Sequence, residues 1–188
     1  MSTPAEKRIQ GNMKRDFKTL TAQEALHVAI FIEERNAELY RQFAELFADF
    51  KDSESLEIAQ VFWEMSQEER GHGSRLQEKY FERYGTQACV VTDEEISEVI
   101  EMPRLDTSNI FSVSRAHATL SPRRSALEVA LEAEQMALRY YRRLLEVTRE
   151  ETLHAIYSEL ANYEADHTTF IQQKLAAASR AVEGGEIV

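Results

Sequence analysis

The 188 residues are enough for one sizeable core and too few for several independent domains. A net charge of -11 argues against a generic nucleic-acid or anionic-lipid surface, and a single cysteine, Cys89, excludes an intrachain disulfide and a four-cysteine iron or zinc site. With three prolines and six glycines to interrupt a chain rich in Ala, Leu, Glu and Gln, the expectation is an all-α protein.

Residues 1–20 read as an N-terminal extension: Met1 to Gly11 is charged and lacks an apolar run. No later stretch approaches the roughly 20 apolar residues that cross a bilayer, so a soluble, cytoplasmic protein with no membrane or nucleic-acid partner is expected. The first helix is predicted from about Thr21 to about Phe50, opened by the capping box Thr21-x-x-Glu24. Leu26, Ile30, Glu33, Ala37, Tyr40 and Phe47 share one face, which turns Glu33 inward among apolar neighbours.

The second helix starts near Asp52 or Ser53 and runs to about Tyr84, where Gly85 supplies the stop. Its inward stripe is Ile58, Phe62, Met65, Glu69, His72, Leu76 and Tyr80. Gly71 and Gly73 flank His72, either as sites of close backbone approach or as tolerated weak points. From Gly85 to Leu120 the pattern breaks into short pieces, including a helix opened by Thr92-x-x-Glu95 and interrupted at Pro103. Val90, Val91, Ile96, Val99, Ile100, Leu105, Ile110 and Phe111 make this segment a crossover along a bundle in preference to an interdomain linker. His117 and Cys89 fall within it and receive no role.

The third helix begins at Ser121-Pro122 or at Ser125-x-x-Glu128, with Leu127, Leu131, Glu134, Leu138, Tyr141 and Leu145 facing inward. The fourth follows the box Thr148-x-x-Glu151 and carries Leu153, Leu160, Glu164, His167, Ile171 and Leu175. One bundle domain is expected over residues 21–180, with 181–188 a frayed tail. His27, Glu128 and Glu132 are read as surface or cap groups.

Two passages repeat. Ala25-Leu-x-x-Ala-Ile-x-x-Glu33 matches Ala126-Leu-x-x-Ala-Leu-x-x-Glu134, and Phe62 leads by seven residues to Glu69-x-x-His72 as Tyr157 does to Glu164-x-x-His167. Residues three apart share a helical face, so each Glu-x-x-His pair can approach one metal region while Glu33 and Glu134 come from the other two helices. Four carboxylates and two imidazoles so placed are the ligand set of a dinuclear metal site in a four-helix bundle. Without cations, four inward carboxylates would repel one another. Such donors suit two iron ions, the first choice for redox chemistry, with manganese or a mixed pair as alternatives. Tyr40 and Tyr141, each two turns beyond a lone glutamate, are either hydrogen-bonding or redox partners of the site or packing aromatics.

At these six residues the chain resembles the ferritin-like di-iron superfamily, most closely the erythrin part of rubrerythrins, over about Thr21 to Leu175. The resemblance implies a ferritin-like four-helix bundle with a long crossover between helices two and three. It also implies metal ligation by Glu33, Glu69, His72, Glu134, Glu164 and His167. Rubrerythrins commonly add a glutamate where this chain has Leu131, and a cysteine-rich rubredoxin domain that it lacks; the remaining symmetric set is similar to bacterioferritin-like oxidase centres. The implied activity is a di-iron oxidoreductase acting on hydrogen peroxide or dioxygen, as a peroxidase or as a ferroxidase with Fe(II) as substrate. A separate electron-donor protein would serve the peroxidase, and a homo-oligomer, preferably a dimer, is expected. A non-catalytic iron-binding or iron-delivery protein is the alternative.

Overall fold

The computed structural model describes residues 20–86, 95, 96, 100 and 122–184, with side chains as far as residue 177. Four long helices make up nearly all of this: α1 (Ala22–Ala48), α2 (Ser53–Tyr84), α3 (Pro122–Val147) and α4 (Glu151–Gly184). Residues 1–19 of the N-terminal extension and most of the crossover, with Cys89, Thr92 and His117, lie outside the described residues; within the crossover Glu95 and Ile96 are helical.

Local chemistry sets most of the boundaries. Thr21 Oγ1 accepts the Glu24 N–H at 3.2 Å and Glu24 Oε2 accepts the Thr21 N–H at 2.7 Å, closing the expected capping box. Such a cap contributes about 1 kcal/mol. Asp52 caps α2 by accepting the Ser55 N–H at 2.8 Å, after a tight turn in which Lys51 takes a positive φ of 58°. Gly85, at φ 59°, ends α2 where only a residue without Cβ is unstrained. Pro122 opens α3, so of the two starts offered by the sequence the proline one is used.

Two boundaries differ from expectation. The Thr148 N–H bonds the Leu144 carbonyl at 2.8 Å, so this threonine closes the last turn of α3 and α4 starts only at Glu151, with the His154 N–H on the Glu150 carbonyl at 2.9 Å. A threonine engaged in ending one helix is not placed to begin the next. α4 also continues to Gly184, four residues past the expected end at Arg180.

Contacts along the helices fix their directions. Gln77 reaches Glu34 and Gln23 reaches Tyr80, so α1 and α2 are antiparallel; Tyr141 packs on Tyr157, so α3 and α4 are too. Tyr40 meets Glu134 and Tyr141 meets Glu33, which sets α1 against α3 in opposite directions. By elimination α2 and α3 are parallel, and the chain must return the length of the bundle between Tyr84 and Pro122, the crossover topology. Ion pairs mark the two ends: Arg123 at the start of α3 holds Asp52 and Glu54 at the start of α2, while Arg83 at the end of α2 holds Glu150.

The apolar stripes bury into two clusters. One contains Leu26, Val28, Ile32, Leu76, Tyr140, Tyr141, Leu144 and Tyr157, with Ile96 and Ile100 packed in. The other contains Leu39, Tyr40, Phe43, Phe47, Ile58, Phe62, Met65, Leu127 and Ile171. Each fully buried large side chain stabilises the fold by roughly 1.5–3 kcal/mol. Along each helix the residues between the clusters are the polar ones, so the two apolar halves enclose a polar waist.

Candidate metal centre

The waist is made of the six residues singled out by the repeat. Glu33, Glu69, Glu134 and Glu164 have no solvent exposure, and His72 and His167 are nearly as buried. α1 supplies Glu33, α3 supplies Glu134, and the Glu-x-x-His pairs come from α2 and α4. Their donor atoms fall into two overlapping groups: Glu33, Glu69, His72 and Glu164 in one, and Glu69, Glu134, Glu164 and His167 in the other. Within each group all four donor atoms lie within 4.8 Å of one another. Glu69 and Glu164 belong to both.

Hydrogen bonding inside the waist is incomplete in an informative way. Counted as carboxylates, both oxygens of Glu69, both of Glu164 and Oε2 of Glu33 accept no well-aligned hydrogen bond. His72 Nδ1 lies 3.3 Å from Glu33 Oε2 and 3.9 Å from Glu69 Oε2 without the alignment of a hydrogen bond. His167 Nδ1 stands 3.2 Å from Glu69 Oε1 and 3.3 Å from Glu134 Oε2. A natural core leaves few polar atoms unpaired, and each unpaired one costs about 1–3 kcal/mol or more when charged. Convergent orphaned oxygens with two inward imidazole nitrogens form a donor set fitted to hard or borderline divalent cations. These residues therefore suit a two-metal site.

Protonation shows what the carboxylates do when no cation balances them. Burial, then the charges of Glu33 and Glu134, raises Glu69 well above the ordinary carboxylate range. Burial, then Glu134 and Glu69, does the same to Glu164. Burial also works against ionising Glu134, yet protons presented by Glu164 and His167 bring it below its usual value. Burial opposes charging His167, but Glu134 and Glu69 outweigh it and push the imidazole up to about 11. Protons thus stand in for metal charge.

The two tyrosines are engaged with the waist. Tyr40 donates to Glu134 Oε1, and Tyr141 donates to Glu33 Oε1. Each serves the glutamate of the opposite helix, a crossing that follows from the antiparallel setting of α1 and α3. Burial and the neighbouring carboxylates raise both hydroxyls well above their usual value, so they remain donors. The pseudo-symmetry extends outward: Tyr40 stacks on Phe62 at 6.0 Å and Tyr141 on Tyr157 at 6.2 Å, the two aromatics that precede the Glu-x-x-His pairs by seven residues.

Other expectations resolve simply. Gly71 has open space where a Cβ would stand, and at Gly73 a Cβ would meet Glu33 Cβ at an ordinary 3.5 Å, so neither glycine is demanded by packing. Leu131 is half-buried against the second apolar cluster. His27 is half-buried beside Tyr80 at 6.2 Å, Glu128 pairs with Arg124 at 2.9 Å, and Glu132 is exposed. Two contacts escaped the sequence: Glu68 Oε2 lies 2.8 Å from His167 Nε2, and the Tyr163 ring lies 4.8 Å from that of His72. A cleft of about 280 Å³ between α1 and α2, lined by Glu34, Glu38, Arg70 and Gly73 among others, has Glu69 in its wall.

Comparison with known proteins gives the same architecture. A family model described as rubrerythrin matches residues 24–111, which include the first lone glutamate and the first Glu-x-x-His pair. No curated protein matches the chain. An uncharacterized conserved protein from Magnetospirillum magnetotacticum MS-1 superposes with a TM-score of 0.65 at 20% identity, over 84% of this chain and 95% of that one. A hypothetical protein from Pyrococcus furiosus does so with a TM-score of 0.64 at 20% identity, over 88% and 95%. Both likenesses are of fold.

Proposed function

From a rubrerythrin-type, ferritin-like bundle with a buried Glu/His cluster and no cysteine cluster, we propose that the chain is a di-iron oxidoreductase that reduces hydrogen peroxide or dioxygen. The observation that carries this reading is the sharing of Glu69 and Glu164, with their orphaned oxygens, between two four-residue donor groups. Glu33 and His72 would hold one ion, Glu134 and His167 the other, and Glu69 and Glu164 both. Two iron ions so held would supply a two-electron couple within one site. Four carboxylates nearly neutralise two divalent ions, which removes the cost of burying either set of charges alone.

The remaining steps belong to the protein. Tyr40 and Tyr141 fix one oxygen each of Glu134 and Glu33, directing the other toward the waist. The apolar clusters above and below exclude bulk water, and the cleft beside Glu69 has the scale of a small oxidant's approach path. As a peroxidase the chain would draw electrons from a separate donor protein, since its one cysteine cannot build an internal relay. As a ferroxidase it would take Fe(II) as substrate. Among the described residues no helix is long and apolar enough to cross a membrane.

Anaerobic Fe(II) titration followed by rapid mixing with H2O2 and, separately, O2 tests the reading. A break near two Fe per chain, fast Fe(II) oxidation and repeated turnover with an external donor are expected. The faster oxidant identifies the substrate. Binding of two Fe(II) that exchange without oxidation would make this an iron-delivery protein instead, and failure to retain two would end the di-iron assignment.

A further inference from the structure

The two Glu-x-x-His pairs are equivalent by the repeat, and so are the residues just before them, Glu68 and Tyr163. Here the symmetry fails. On one side, Glu68 of α2 crosses to α4 and stands 2.8 Å from Nε2 of His167. Since an ionised carboxylate only accepts, Nε2 carries the hydrogen and donates it. The inward nitrogen, Nδ1, is the one that faces Glu69 and Glu134. On the other side, the carboxylate contacts of His72 are both made through Nδ1, to Glu33 and Glu69. The neighbour supplied by symmetry is an aromatic ring: Tyr163 packs at a tilt against His72, ring centres 4.8 Å apart, and the guanidinium of Arg75, paired with Glu159 at 2.6 Å, lies 5.8 Å from the Tyr163 ring centre.

We infer that Glu68 is a positioning residue that makes the two metal positions unequal, holding His167 in the tautomer that presents Nδ1 and strengthening the cation position at His167 over that at His72. The physical basis is general. A carboxylate on the outer N–H of an imidazole fixes the ring's orientation and raises the basicity of its other nitrogen toward a metal. Glu68 also adds one more negative charge in direct contact with the His167 ring, whereas Tyr163 brings a neutral ring to His72, with the mutually compensating Arg75–Glu159 pair behind it. Glu68 is more than half exposed and contributes little to the core, so its replacement tests the contact and not the fold.

This inference rests on the two-metal reading, and the experiment separates them. The full chain, freed of metal, is titrated with Co(II) by calorimetry, as are Glu68→Gln and Glu68→Ala, with helical content checked by circular dichroism. The native chain is expected to bind two Co(II) in two steps at least about tenfold apart. In both variants the tighter step is expected to weaken by about 10–100-fold while the weaker step moves less than about twofold and two ions still bind. In the Zn(II)-loaded protein, a downfield proton resonance from the His167 Nε2–H should be present in the native chain and lost in Glu68→Ala. Fewer than two Co(II) per native chain would overturn the two-metal reading itself. Two ions bound with equal affinity, a variant in which both steps move together, or one in which neither moves would overturn the role of Glu68 and leave that reading standing.

Discussion

Each tyrosine in the waist leaves a carboxylate oxygen with one fixed donor, so removing a single hydroxyl has a defined cost. Tyr141→Phe leaves Glu33 Oε1 buried without that donor and should destabilise the metal-free protein by about 1–3 kcal/mol, read from urea unfolding. Protonation gives a second outcome at this scale. Glu69, Glu164 and His167 have raised pKa values in the fold, so their contribution is fully present below their unfolded values and is lost as pH rises toward their folded ones. Glu134 is shifted the other way and offsets part of this. The metal-free protein should therefore lose stability as pH rises above the ordinary carboxylate range. Bound cations replace those protons, so the gain in Tm from metal should grow with pH, as paired melts of chelated and metal-loaded protein between about pH 5.5 and 8 would show.

Helix by helix, the same waist explains what was legible in the sequence. The stripes of α1 to α4 follow the 3.6-residue period, and charged residues interrupt them at matching steps, so the bundle and the convergence of six side chains could be read from spacing alone. Partners across helices could not. That Tyr40 serves Glu134, not Glu33, depends on the antiparallel register of α1 against α3, which no local pattern encodes. Glu68 and Tyr163 sit on the exposed shoulder of their helices, where a glutamate and a half-exposed aromatic look like ordinary solvated positions. The Thr148 box misled because a side chain that fits a cap in sequence had its backbone already committed to closing α3. Gly71 supplies a prediction at this scale: it lies in the interior of α2 with open space at its missing Cβ. Gly71→Ala should stabilise the protein by roughly 0.5–1 kcal/mol and raise Tm by about 1–4 °C in a thermal melt.

For the whole molecule, the design is two antiparallel hairpins packed face to face, with one polar layer partway along their shared apolar core. Each donor group takes three residues from one hairpin and the fourth from the other: Glu33, Glu69 and His72 are joined by Glu164, and Glu134, Glu164 and His167 by Glu69. No hairpin completes a group alone. That distribution bears on the order of events in time. The helices joined through the chain between Tyr84 and Pro122 meet only by a long-range contact, so the donor groups are complete only once the second hairpin has docked on the first. Cations that require both hairpins would then bind after the folding barrier and hold the halves together against separation, like a clasp fastened last. Saturating divalent metal should leave the refolding rate nearly unchanged and slow unfolding by tenfold or more, a division between the two limbs of a chevron that stopped-flow fluorescence of Trp63 would measure.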